Sequence, residues 1–255
     1  PANLPLQGMV PPLACAVLLA IGGYHAARLA GAASLWLFAP LIVGALLYAL
    51  DWLPARLKCF LMLLAVLVVG GWLVSGATGM TGLFATLLMA GGLVVASAAL
   101  YRNDARNGYY PLMAVLLLAI AAMLRAPTGL EFFFSWELAT LSSYFMIAQG
   151  RNGHAHALPF LLFSLVSAYC LLAGFALAEA ANGSPLLQAF RSGGPDAAPA
   201  FALLALGFLI KAGAIGFHVW LPGTYAEADD DFSAMLSSVV SKVAMFGLFM
   251  ATYLA

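Results

Sequence analysis

An all-α, polytopic membrane helix bundle is the fold class this sequence predicts, and three observations predict it. Of its 255 residues, 64% are hydrophobic and only 8% are charged. A soluble domain carries about 25% charged residues, so this chain is too poor in charge to cover a surface in water. Lipid must be the solvent for most of it. The apolar residues come in runs of about 20, the length an α-helix needs to cross the hydrocarbon layer. Between runs, aromatic residues stand beside basic ones, as in Asp51-Trp52-Leu53-Pro54-Ala55-Arg56-Leu57-Lys58 and in Tyr101-Arg102 through Tyr109-Tyr110. Trp and Tyr favour the membrane interface because one end of each ring is apolar and the other is wet.

Reading the runs between polar, proline or glycine breaks predicts about nine spans: 9–27, 32–50, 57–75, 80–101, 110–125, 128–149, 157–180, 200–221 and 232–254. The run 110–125 is short for a span and is expected to extend into its flanks. Glu179 to Pro199 predicts a long loop with a surface amphipathic piece, and Glu227 with Asp229, Asp230 and Asp231 a solvated turn. His154 and His156, beside Arg151, predict a solvated loop. Pro1 to Pro12 lead towards a first span with no initiator Met, basic n-region or small-residue cleavage signature, so a processed or truncated product is expected. Arg56, Lys58, Arg102, Arg106 and Arg151 fall in the loops after the second, fourth and sixth spans. Arg28, Arg125 and Arg191 fall in those after the first, fifth and seventh. That five-to-three bias places the N-terminus and the Arg151 loop on the cytoplasmic side.

Several function classes drop out. A formal net charge of zero gives no field to attract nucleic acid. Cys15, Cys59 and Cys170 lie in apolar runs, fit no metal spacing, and read as small core residues. Gly129, Gly150 and Gly153 are too isolated to form a phosphate loop, and there is no nucleophile elbow. No cofactor, metal or redox centre is expected.

The informative residues are ionisable and sit inside apolar runs. Lys211 follows Leu203 to Ile210, Lys242 is flanked by Ser237, Ser238, Ser241 and Val243, and Glu137 lies in Phe132-Phe133-Phe134-Ser135-Trp136-Glu137-Leu138. A charge at the centre of a helix costs about 2.5–3.5 kcal/mol on insertion scales, and such residues mark ion paths. Lys211 has Gly207, Gly213 and Gly216 around it, which predicts a local helix break of the kind transporters use for midplane ion sites. Such a discontinuous, lysine-bearing helix puts an amine where its protonation depends on its partners. His218 lies between Lys211 and the next loop and reads equally as relay or structure. Lys58, the third lysine, is at a helix edge. Glu131, near the start of its span, is expected to reach the interface.

These motifs resemble a family. Phe134-Ser135-Trp136-Glu137-Leu138-Ala139-Thr140-Leu141-Ser142-Ser143-Tyr144 is similar to the glutamate helix of antiporter-like subunits. Lys211-Ala212-Gly213-Ala214-Ile215-Gly216-Phe217-His218-Val219-Trp220-Leu221-Pro222 is similar to their lysine helix. Tyr225-Ala226-Glu227-Ala228, then Ser233-Ala234 and Ser241-Lys242-Val243, resemble the loop and helix that follow. Such subunits occur in respiratory complex I (NADH-quinone oxidoreductase), Mrp cation/proton antiporters and membrane-bound hydrogenases. The chain departs from the pattern at Gly216, where the family has proline, and at Asp229-Asp230-Asp231-Phe232, where it has a proline-containing turn.

The resemblance covers roughly 80–255. It implies N-terminal membrane helices over 1–79 and a first antiporter-like repeat over 80–255, with the second repeat absent. It implies proton translocation in a larger complex through Glu137, Lys211 and Lys242, with His218 on the path. The partners would be other membrane subunits, the bilayer and protons or sodium, in a multi-pass protein of the bacterial inner (plasma) membrane. Electrons, if the chain serves a quinone oxidoreductase or hydrogenase, would move in other subunits. Sodium/proton exchange and a non-pumping scaffold remain alternatives.

Overall fold

The computed structural model describes residue 25 and residues 35–101, 106–151, 153–191 and 197–254. The predicted span 9–27 lies outside these residues except for His25, and Cys15 lies outside them altogether. The described chain is a helical bundle: α1 (Ala39–Ala49), α2 (Ala55–Val74), α3 (Gly79–Tyr101), α4 (Tyr109–Arg125), α5 (Gly129–Ala148), α6 (Gly153–Asn182), α7 (Ala197–Ala212), α8 (Trp220–Glu227) and α9 (Asp230–Thr252). A single π turn interrupts α2 at Val66–Gly70 and another interrupts α9 at Leu236–Val240. Of these helices, α2, α3, α6 and α9 are long and apolar enough to cross a membrane. The protein is a membrane-spanning bundle.

Helix α4 is the hub. It is apolar all round, with every residue from Leu116 to Leu124 buried, the pattern of a helix enclosed by others. Its length does not grow into the flanks as the sequence suggested. Helices α1, α2, α3 and α5 all pack on it, so 17 residues suffice because protein covers most of its surface. A second layer follows in chain order: α5 on α6, α6 on α7, α7 on α9, with short α8 against α6. The α6–α7 contact is close because Gly207 has no side chain; a Cβ there would meet Leu171 and the Ser167 carbonyl.

The lysine helix is broken. Instead of running through 200–221, α7 stops at Ala212. Gly213 takes φ +70°; its N–H reaches the Ile210 carbonyl at 3.1 Å and the Ala214 N–H reaches Leu209 at 3.0 Å. That pair of bonds is a Schellman termination, which needs a left-handed residue at the first position beyond the helix. Gly216, at φ +96°, turns the linker again before α8 begins.

Several surface expectations are corrected. His154 and His156 belong to α6, not a loop, and α6 extends to Asn182, so the Glu179–Pro199 loop is much shorter than predicted. Glu131 does not reach the interface. It is buried at the start of α5, where Thr128 is the N-cap: the Thr128 hydroxyl accepts from the Glu131 N–H at 3.2 Å and donates to its carboxylate at 3.0 Å. Lys58 is buried and paired with Asp51 at 3.0 Å. The acidic turn is not simply solvated, since Asp231 is buried against Arg106 at 2.7 Å. Cys59 is a buried core residue, as expected, and Cys170 is half-buried.

Replacing Gly213 with alanine forces a side chain into the left-handed region and against Leu221. It should cost about 1–3 kcal/mol, read as a lower melting temperature in detergent. Gly91→Ala, inside α3 with open space around the new methyl, is the control and should be neutral or stabilising by up to about 1 kcal/mol.

Candidate functional site

Lys211 occupies the last turn of α7, two residues before the left-handed Gly213. A helix C-terminus exposes carbonyls and carries the negative end of the helix dipole, so a cation is favoured there. The side chain is 6% exposed and points into the seam between α5 and α6. Its amine donates to Thr140 Oγ1 at 3.0 Å and to Ser164 Oγ at 2.8 Å. The Phe160 ring lies 4.3 Å from Nζ and the Trp136 ring 5.9 Å away, so π-faces supply further stabilisation for a positive charge.

Each helix supplies its groups at one-turn spacing. On α5, Trp136, Glu137 and Thr140 lie within one turn of each other. On α6, Phe160, Ser164 and Ser167 are spaced by four and three residues and share a face; Ser167 donates to the Gly207 carbonyl at 2.7 Å, fixing α7 next to the lysine. Aromatic rings pack the surroundings: Trp136 meets Phe208 at 5.4 Å and Phe160 meets Trp220 at 5.3 Å. The Trp220 indole N–H donates to the Ile210 carbonyl at 3.4 Å, bringing the start of α8 back to the break.

Glu137 lies one turn from Thr140 and interacts electrostatically with Lys211. The two make no direct ion pair. The amine rests on the hydroxyls, while Glu137 Oε1 is buried and has no hydrogen-bond partner among the described residues. The two remaining residues singled out from sequence stand apart. Lys242 is exposed on the outer face of α9, in line with Ser237, Met245 and Phe249. His218 is exposed in the linker between α7 and α8, beside the outward-facing Ile215 and Val219.

Thr140, Ser164 and Phe160 were not singled out from the sequence. Thr140 follows Glu137 by one helical turn, a spacing that offered a signal. Ser164 and Ser167 are hydroxyls three apart in an apolar run, a weaker one, since serines in membrane helices often only pack.

Residues 126–255, half of the chain, match the family described as NADH:quinone oxidoreductase/Mrp antiporter, TM. Among curated proteins, the chain is 29% identical over 185 residues to NAD(P)H-quinone oxidoreductase chain 4 of Microcystis aeruginosa, covering 68% of this chain and 34% of that protein. It is 30% identical over 149 residues to NADH-quinone oxidoreductase subunit N of Mycobacterium bovis, covering 53% of this chain and 28% of that one. The chain therefore spans about a third of the length of these relatives. Among solved structures, a chain of respiratory complex I from Thermus thermophilus superposes with a TM-score of 0.72 at 24% identity, covering 85% of this chain and 53% of that chain. A chain of the Mrp complex from Dietzia sp. gives 0.64 at 20% identity, with 92% and 47% covered. Both share its fold. With the lysine at a helix break facing a glutamate helix and the family match across this region, the chain belongs to the membrane-subunit family shared by NADH:quinone oxidoreductases and Mrp antiporters.

Proposed function

We propose that this chain moves protons across the membrane as part of an antiporter-like subunit, with Lys211 as the carrier and Glu137 as the charge that governs it. The observation that carries this reading is the company the Lys211 amine keeps: two neutral hydroxyls, with a carboxylate near but not bonded. A hydroxyl both donates and accepts. Thr140 and Ser164 accept from an ammonium and, by rotating their O–H bonds, donate to a neutral amine. The site keeps its hydrogen bonds in either protonation state, so a proton joins or leaves without leaving a polar group unpaired. A direct Glu137–Lys211 ion pair would favour the charged state alone.

In this reading, Glu137 tunes the lysine through space. One pKa unit corresponds to about 1.4 kcal/mol, and in a medium less polarisable than water a displacement of a few ångströms between two charges changes their interaction by that order. Lys242 and His218 are the onward relays, reached where a neighbouring helix or further chain covers the outer faces of α9 and the linker. Partner membrane subunits in a respiratory or antiporter complex, in a bacterial inner membrane, belong to the same reading. The curated relatives above are named as NADH-quinone oxidoreductase components and a matching fold lies in an Mrp complex. The transported ion is thus decided by whether proton flux depends on sodium.

Three measurements test the site. Lys211→Met in the assembled complex should abolish proton uptake into vesicles while leaving the melting temperature unchanged or higher, because an apolar side chain of similar length replaces a costly buried amine. Wild-type flux in that variant would end the proposal. Thr140→Val combined with Ser164→Ala, with Lys211 retained, should have the opposite profile: a loss of about 1–3 kcal/mol of stability from stranding the amine, with flux reduced. Glu137→Gln should assemble normally and lose coupled transport, and flux equal to wild type would favour the scaffold alternative.

A further inference from the structure

On the membrane face that carries residues 50–58, 106–109, 149–151 and 227–231, charged side chains form a continuous belt that the proposed relay does not use. Lys58 donates to Asp51 Oδ1 at 3.0 Å, and Asp51 Oδ2 accepts from the Gly108 N–H at 2.8 Å. Two residues away, Arg106 grips the junction between α8 and α9. Its Nη1 donates to Asp229 at 2.9 Å and to Asp231 at 3.1 Å, and its Nη2 donates to Asp231 at 2.7 Å. The guanidinium lies 3.7 Å over the Tyr109 ring that opens α4. On the far side of the junction, Arg151 pairs with Asp230 at 2.9 Å and the Arg151 N–H bonds the Glu227 carbonyl at 2.9 Å.

The two arginines differ in kind. The Arg151–Asp230 pair is 67% and 82% exposed, where an ion pair adds little. The Arg106 clamp is 15% exposed on the arginine and 7% on Asp231, and it is forked across one carboxylate, the geometry in which a guanidinium binds most strongly. Burial works against the Arg106 charge. The hydrogen bonds it donates to Asp231 and Asp229, with the negative charge of Asp231, outweigh it and hold the guanidinium pKa above its ordinary value.

The clamp bears on Lys211 through α8. That helix is only eight residues long and hangs between a linker with two glycines at positive φ and the clamped junction. At its near end, Trp220 reaches Ile210 and packs on Phe160, the ring beside the Lys211 amine. Leu221 fills the space over Gly213. A shift of the α8–α9 junction therefore carries Trp220 and Leu221 with it and disturbs the walls of the lysine site. We propose that Arg106 is a positioning residue for this site: by bridging Asp229 and Asp231 to the start of α4, it holds the second half of the broken helix where Trp220 and Phe160 close over Lys211. The inference rests on Lys211 being the proton carrier.

The test uses the full chain in its assembled complex, reconstituted in vesicles, with proton flux measured from about pH 6 to 9 alongside the amount of assembled complex. Per assembled complex, Arg106→Ala should lower flux by about tenfold and displace the pH of half-maximal flux, because the walls around Lys211 have moved while Glu137, the charged group that acts on it, stays. Arg106→Lys, which keeps the charge without the fork, should recover part of the flux and return the pH profile towards wild type. If Arg106→Ala does not assemble, Asp229→Asn takes one carboxylate charge from the clamp and should displace the profile in the same direction by less. Wild-type flux and an unmoved profile in assembled Arg106→Ala, or in assembled Asp229→Asn where the alanine variant is lost, overturn the proposal. A flux loss that only tracks lost complex, with the profile unmoved, also overturns it. Lys211→Met run in parallel separates the two ideas: if it still transports, the carrier assignment fails, whereas a dead Lys211→Met beside an unaffected Arg106→Ala sinks the clamp alone.

Discussion

A single amine taken out of water organises this protein. Hydrocarbon offers Lys211 no hydrogen bonds, so the bundle must provide them, and it does so with hydroxyls from two different helices. That demand explains why α5, α6 and α7 pack in series, why α7 ends where it does, and why α6 and α7 come close at Gly207, one turn before the lysine. The break at Gly213 adds the negative end of a helix dipole and frees Trp220 to fold back over the site. Each feature is minor alone. Together they make a buried charge tolerable.

The enclosed α4 plays the complementary part. It carries no charge except Arg125 at its end, and it packs against α1, α2, α3 and α5, while α3 also packs directly on α9. Because protein covers most of its surface, its shortness is no defect. The ends of neighbouring helices draw in around it, and the loops on one face come close enough to exchange charged hydrogen bonds.

Much of this was legible in the sequence. Hydropathy runs gave the bundle and most spans, and the motif around Glu137 and Lys211 gave the family. The glycines after Lys211 gave the helix break. What hydropathy could not see is backbone conformation: Ala214, Ile215, Phe217 and Val219 continue an apolar run across a point where Gly213 has already ended the helix, so the predicted span overran. Residues near run edges were misplaced for another reason. Lys58, Glu131 and Asp231 each sit where a sequence places the water interface, yet a neighbouring helix or loop closes over each one. Position along a run fixes depth in the membrane but not which partner covers the side chain. Thr140 and Ser164 were hidden for the same reason, since their importance exists only once the two helices face each other.

The ionic belt also sets the two mouths of the bundle apart in chemistry, because the ion pairs named above gather at one of them. At the opposite mouth, the start of α5 meets the segment after α6 through an antiparallel bridge between Thr128 and Leu186, in which the Leu187 N–H donates to the Pro127 carbonyl at 2.9 Å. There the Arg125 guanidinium rests 4.9 Å from the Trp72 ring, and Leu187 and Phe190 are buried. Added salt therefore screens the exposed Arg151–Asp230 pair at the first mouth and leaves the ring and backbone contacts at the second largely untouched.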